Sequence, residues 1–299
     1  MSRTSIGRAA ANLLEFQEGE KIANVLAITD FEAEEKFLLF ATAKGTVKKT
    51  ALSAYVNIRT NGIIAIGMED GDSLIGVSCT SGNDHALLCT KSGLAVRFEE
   101  SHVRAMGRPA GGVTGVRFKR EGDEVVSMNV IPGGANTEFQ VLTASVHGYG
   151  KRTPLEDYPV KGRGTQGVIN IDANDRNGDV VTVRLVRPND ELMMISEKGI
   201  LIRMRVDEIR ETGRNAAGVR LINLDDNDKL VAMARVDREE EVVAAAEGAT
   251  DGTADASPDA ASDPCGDSTI PSSDPSPESP PHSPAEGADD SDPEAPRGE

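Results

Sequence analysis

The chain has 299 residues, with 32 Lys or Arg against 49 Asp or Glu and a formal net charge of −17. It has no Trp, no run near the roughly 20 apolar residues of a membrane helix, and no apolar segment of a secretory signal at its start, so membrane and signal-bearing classes are not expected. Cys79, Cys89 and Cys265 form no CxxC or Cys/His spacing, which fits reduced thiols in a cytoplasm better than a disulfide or zinc framework.

In chain order, the first element is a half repeat. NLLEFQ-Glu18-Gly19-Glu20-KIANVLAI reads as a strand, an acidic turn and an apolar strand, with no hairpin before it. Residues 1–36 are therefore expected to be the second half of an early blade whose partner strands are missing. Four full repeats follow over 37–236. Each opens with a hydrophobic run, an X-Gly turn and a run carrying basic residues: FLLFATA-Lys44-Gly45-TVKKT, ALLCT-Lys91-Ser92-Gly93-LAVRF, FQVLTASV-His147-Gly148-YGKRT and ELMMISE-Lys198-Gly199-ILIRMR. Glycine reaches φ > 0 at little steric cost, so these steps predict hairpins. Each repeat closes with a Gly-led strand (from Gly62, Gly112, Gly167 and Gly218), a turn centred on Gly71, Gly122, Gly178 or Asn227, and an apolar strand.

The hairpin glycines are spaced by 48, 55 and 51 residues, and the acidic turns from Gly19 onward by 52, 51, 56 and 49. A period near 50 with strand patterning predicts an all-β array of four-stranded units that bury their faces against one another. The last element, 237–299, carries 18 acidic and 2 basic residues and ten of the fifteen prolines. Low hydrophobicity and high charge cannot offset ordering entropy, so this segment is expected to be a disordered acidic tail. Without it, 31 acidic and 30 basic residues remain, a net of −1.

Basic residues recur at two places in the repeat. One set follows the hairpin glycine: Lys48 and Lys49, Arg97, Lys151 and Arg152, Arg203 and Arg205. The other precedes the Gly-led strand: Arg59, Arg104 and Arg108, Lys161 and Arg163, Arg210 and Arg214. If they point outward, radial repetition makes them a basic rim suited to the backbone of a curved polyanion. The same pattern also suits a plain solvated strand face. Residues 162–167 spell GxGxxG, but the following VINI reads as strand, so no dinucleotide site is expected there. Gly150-Lys151 lacks the earlier glycine of a P-loop. Asp70-Gly71-Asp72 and its counterparts recur once per repeat, which points to turns and not metal sites. His85, His102, His147 and His282 show no ligand or nucleophile spacing. No catalytic constellation, metal site or cofactor is expected.

The strings ATAKGTVKKT, EESHVRAMGRPAGGV, GYGKRTPLEDYP and ISEKGILIRMRVDEI with GRNAAGV resemble the C-terminal domain of the bacterial DNA gyrase A subunit over about residues 3–236. The resemblance implies a propeller-like β-pinwheel that wraps double-stranded DNA around a basic perimeter and so supports ATP-dependent negative supercoiling. It also implies, for the full-length protein, a complex of two A and two ATP-binding B subunits in a bacterial cytoplasm. On it, the residues of both basic sets except Arg210 become candidate wrapping residues. Two features depart from the family pattern. The Gln-Arg-Arg-Gly-Gly-Lys-Gly type box is absent, and Tyr55, Tyr149 and Tyr158 follow Ala54, Gly148 and Asp157 where the family's cleaving tyrosine follows Arg. The expected reading is a gyrase A fragment that binds and bends DNA without cutting it, with an acidic tail that competes for the rim or merely solubilises. The alternatives are a topoisomerase IV domain, whose pinwheel is similar, and a propeller-like protein-interaction module.

Overall fold

The computed structural model describes residues 16, 19–31, 33, 35–59, 61–133 and 138–236. The expected tail, 237–299, and most of the opening half repeat before residue 19 lie outside them. Fifteen strands are described. The first repeat forms β1 (Phe37–Thr42), β2 (Thr46–Ala51) and β3 (Leu74–Thr80). The second forms β4 (His85–Thr90), β5 (Leu94–Glu99), β6 (Val113–Thr114) and β7 (Val125–Ile131). The third forms β8 (Gln140–Ser145), β9 (Tyr149–Pro154), β10 (Val168–Ile169) and β11 (Val180–Val186). The fourth forms β12 (Glu191–Ser196), β13 (Leu201–Arg205), β14 (Val219–Arg220) and β15 (Leu230–Val236).

Repeats and sheets are out of phase. The sheet orders are β3-β1-β2-β6, β10-β5-β4-β7, β11-β8-β9-β14 and β13-β12-β15. The short Gly-led strand of each of the last three repeats therefore completes the sheet of the repeat before it. The Gly62 segment, expected as a strand like its counterparts, forms none, because this chain's described residues offer it no preceding hairpin. The apolar run 22–28 of the opening half repeat, also expected as a strand, has no hairpin to pair with among the described residues and lies outside any sheet. β3, β7, β11 and β15 lie on successive sheets, and each adjoins the next.

This exchange explains the Gly that leads β6, β10 and β14. At Gly167 the chain crosses against β5 with φ +79, and a Cβ there would lie 2.3 Å from the Ala95 carbonyl oxygen. Only glycine fits both the positive φ and the close approach.

The core lies between the sheets. One cluster joins the first and second sheets (Leu39, Val47, Leu88, Phe98, Val125), another the second and third (Leu87, Ile131, Val141, Tyr158, Val183), and another the third and fourth (Leu142, Val186, Leu192, Met194, Met233). With neighbours on both sides, central strands are buried on both faces: Ala86, Leu87, Leu88, Cys89 and Thr90 of β4 are all inaccessible. Strict alternation of apolar and polar residues is then not required.

The acidic turns are structural. Asp72 Oδ1 accepts the amides of Lys44 (2.9 Å) and Ser73 (2.8 Å), Asp123 Oδ1 that of Ser92 (2.9 Å), and Asp228 Oδ1 that of Lys198 (3.1 Å). Each carboxylate thus pins the hairpin turn of its own repeat. Asn227 takes φ +61 where the other turns use glycine, as asparagine readily does. Among the described residues no group of three or more His, Cys, Asp or Glu is placed to hold a metal ion, and no helix is long and apolar enough to cross a membrane. The GxGxxG stretch at 162–167 is a loop that runs into β10.

Candidate nucleic-acid interface

The two basic sets have opposite fates. In the first three sheets, the set on β2, β5 and β9 points inward, against the outward orientation a rim requires. Lys48 and Lys151 are completely buried, and Lys49 and Arg97 are 7% and 8% exposed. Lys48 Nζ donates to the carbonyl oxygens of Ala65 (2.7 Å) and Arg108. Lys151 Nζ donates to those of Gly213 (2.7 Å) and Arg214. Arg97 Nη1 donates to Leu155 O and Tyr158 O, both at 3.2 Å. Lys49 Nζ reaches Glu100 O at 3.3 Å and its carboxylate at 3.7 Å, and lies 4.9 Å from the centre of the Phe37 ring. A buried cation needs such partners, and nearby backbone carbonyls supply most of them. These side chains brace the connecting loops; they do not reach solvent. Arg152 is half-buried, and its carbonyl accepts the Thr212 amide at 2.8 Å.

Burial has an electrostatic cost that the two lysines register. Loss of hydration, with the Arg108 charge second, lowers Lys48 to about 8. Loss of hydration, with Arg214 second and opposed by Asp157, lowers Lys151 to about 8. Each native value lies below the ordinary 10.5, so between pH 8 and 10.5 the unfolded chain binds more protons than the native one. These groups therefore add stability as pH rises through that window, and add no slope below it. In urea titrations from pH 7 to 10, Lys151→Met is expected to flatten the rise seen for the parent chain. An unchanged slope would count against a buried, partly deprotonating Lys151.

The second set is presented outward. Arg59, Arg104, Lys161, Arg163 and Arg210 are exposed, and Arg108 and Arg214 half-buried. From Arg104 onward they sit in the loops that carry the chain from one sheet to the strand completing the previous one. Two of them also staple neighbouring sheets. Arg163 donates from Nε to His102 O (2.9 Å) and from Nη1 to Thr114 O (3.1 Å), and Arg214 Nη1 donates to Ile169 O (2.9 Å). Thr114 and Ile169 end β6 and β10, so both contacts join equivalent points. Beneath the loops lie the buried lysines: Lys48 holds the backbone of Arg108, and Lys151 that of Arg214. In these two loops one buried cation thus positions one outward cation.

β13 differs because, among the described residues, no strand pairs along its outer edge. Arg203 and Arg205 are exposed there and pair with Glu191 and Asp207. The pattern reading missed a further basic group. Arg117, Lys119 and Arg120 lie just after β6, and Arg176 and Arg220 flank the Tyr149 ring at 4.8 and 5.3 Å, with Arg220 donating to its hydroxyl at 2.8 Å. That hydrogen bond, reinforced by the two charges, lowers the Tyr149 hydroxyl below its ordinary range. No periodic signal marks these residues in the sequence.

The family described as DNA gyrase C-terminal domain, beta-propeller, matches residues 36–81, 84–132, 140–187 and 190–237. The chain is 46% identical over 242 residues to the DNA gyrase A subunit of Deinococcus deserti, covering 80% of this chain and 30% of that protein. It is 44% identical over 250 residues to its Escherichia coli K12 counterpart, covering 83% and 28%. It thus spans less than a third of the length of these curated relatives. The solved C-terminal domain of DNA topoisomerase IV superposes with a TM-score of 0.72 at 27% identity, covering 77% of this chain and 71% of that one. The DNA gyrase A C-terminal domain superposes with a TM-score of 0.67 at 25% identity, covering 76% and 74%. Four matched segments that coincide with the four repeats, on a fold shared with those solved domains, place this chain in the DNA gyrase C-terminal domain family.

Proposed function

We propose that this chain binds double-stranded DNA and wraps it along its outward loops, as the non-catalytic wrapping domain of a gyrase A protein. The observation that carries this reading is the recurrence of exposed cations at equivalent loops, Arg104, Lys161 with Arg163, and Arg210, each loop fastened to the adjacent sheet. Cations at a fixed repeat replace phosphate counterions, and a fastened loop loses little side-chain and backbone freedom on binding. The sequence of events follows from this. Duplex meets one loop, then the next, and the contacts offset a bending cost of roughly 1–6 kcal/mol over a few tens of base pairs. No cofactor or metal takes part. Strand cleavage and ATP use belong to other domains and chains, in a bacterial cytoplasmic complex of two A and two B subunits. A topoisomerase IV domain is the second reading, favoured by the fold similarity; the 44% and 46% identities to gyrase A favour the first.

The test is topological. Relaxed closed circular DNA is incubated with the chain, treated with a relaxing topoisomerase and deproteinised. Wrapping leaves a shifted topoisomer distribution. Binding in a gel-shift assay without any shift in linking number would reject wrapping while leaving DNA binding in place. Neutralising roughly 6–10 phosphates also predicts an affinity loss of about 10³–10⁵-fold between 50 and 200 mM salt.

A further inference from the structure

Three positions meet at one corner of each strand-exchanged sheet, where the edge strand reaches the hairpin. They are the first residue after the hairpin glycine, its partner on the incoming strand, and the residue two before the centre of the acidic turn. In the first sheet these are Thr46, Thr114 and Glu69, in the second Leu94, Ile169 and Arg120, and in the third Tyr149, Arg220 and Arg176. Thr46, Thr114 and Glu69 line one hollow together with Asp72, and Leu94, Ile169 and Arg120 line another together with Lys119. In the third sheet the Tyr149 ring and its two guanidinium neighbours stand at this place. The positions recur but the residue types do not. The corner is acidic in the first sheet and carries two cations in each of the other two.

These cations are exposed and lack a counter-charge. Lys119, Arg120, Arg176 and Arg220 form no ion pair among the described residues, whereas Lys44, Lys91, Arg203 and Arg205 all do. Arg220 donates to the Tyr149 hydroxyl (2.8 Å) and to Asn223 Oδ1 (3.4 Å), and Arg176 to Asn177 Oδ1 and Gly218 O, both at 3.2 Å. Neutral acceptors fix the side chains and leave the charge available to an anion. Asp172 also lines the second hollow, but its carboxylate accepts the Asn174 side-chain amide at 3.1 Å. The corners adjoin the loop cations, because Arg163 donates to Thr114 O and Arg214 to Ile169 O. A phosphate backbone that leaves Arg214 therefore reaches the corner of the second sheet.

We propose that the corners of the second and third sheets bind backbone phosphates of the duplex as a second row beside the loops, and that the first corner repels them. The proposal rests on the DNA-binding reading above and adds a direction to it. Contact is confined to the loop at the first sheet, where Glu69 and Asp72 face the path. It widens to loop and corner at the second and third. Tyr149 is a positioning residue there, since its hydroxyl holds Arg220 and its ring lies against both guanidinium groups.

Fluorescence anisotropy of the full chain with linear duplex DNA, across a salt series, tests this. Lys119→Gln with Arg120→Gln, and Arg176→Gln with Arg220→Gln, are each expected to weaken binding about 10–100-fold near 100 mM salt and to lower the log–log slope by about two. Glu69→Lys is expected to strengthen binding about 5–10-fold and to raise the slope by about one. Its side chain is 83% exposed and pairs only with exposed Lys44 at 3.8 Å, so this variant folds even if loss of the Arg176 bond loosens β14. A parent chain that binds no duplex sinks the DNA-binding reading itself. Binding by the parent, with slopes unchanged in both double variants or unmoved by Glu69→Lys, overturns this proposal alone. So does an equal loss from Arg203→Gln with Arg205→Gln, which removes the same charge from cations already paired with carboxylates.

Discussion

Alanine at Arg104, Lys161, Arg163 and Arg210 together is expected to lower affinity for linear duplex DNA by about 10²–10³-fold near 100 mM salt, and the log–log salt slope by about one per residue removed. These side chains are exposed on loops at equivalent places in successive sheets. Removing Arg203 and Arg205 is expected to change the slope by less than about one, because their guanidinium groups already rest on Glu191 and Asp207 and must leave them to reach phosphate. Fluorescence anisotropy across a salt series measures both slopes. Equal losses from the two sets would mean that net charge, and not the loop positions, governs binding. Thermal unfolding should show the loop variants close to the parent except where Arg163 is changed, since its bonds to His102 and Thr114 also join two sheets.

Gly167→Ala is expected to destabilise the domain on the order of 3 kcal/mol or more. Its Cβ would stand 2.3 Å from the Ala95 carbonyl oxygen and 2.8 Å from the Ala95 carbonyl carbon, in a backbone with φ +79. Neither atom yields by a rotamer change, so β10 must move off β5, and the joint between the second and third sheets opens. Gly122→Ala is the control. It has a similar φ, +77, but nothing within 4 Å of the added carbon, so it carries only the conformational cost of about 1–2 kcal/mol. Urea midpoints at constant m-value separate the two effects. Equal midpoints would show that φ alone, and not the strand crossing, explains the glycine.

The repeats, the hairpins and the acidic turns were legible in the sequence because each depends on a local rule. An X-Gly step sets a hairpin by backbone freedom, and Asp72, Asp123 and Asp228 accept amides from the turn of the same repeat. The exchange of β6, β10 and β14 was not legible. A two-residue strand preceded by glycine looks the same whether it joins its own repeat or the one before it; only the three-dimensional closeness of β2, β5 and β9 decides.

The basic residues show the same division. Successive residues of a strand point to opposite faces, so an outward rim at Lys48 and Lys49 needs β2 to have a face open to solvent. In fact both faces are covered and both lysines are buried. The loop cations, placed by the sequence on the same footing as the strand cations, stay mostly exposed because the connections run over the surface, although Arg108 and Arg214 are half-buried. By itself, then, the sequence determined the period, the turn chemistry and the family, all properties carried by short segments. Only the tertiary structure decided which repeat completes which sheet and which cations turn inward. Those depend on what covers a strand's second face, and residues distant in the chain supply that cover.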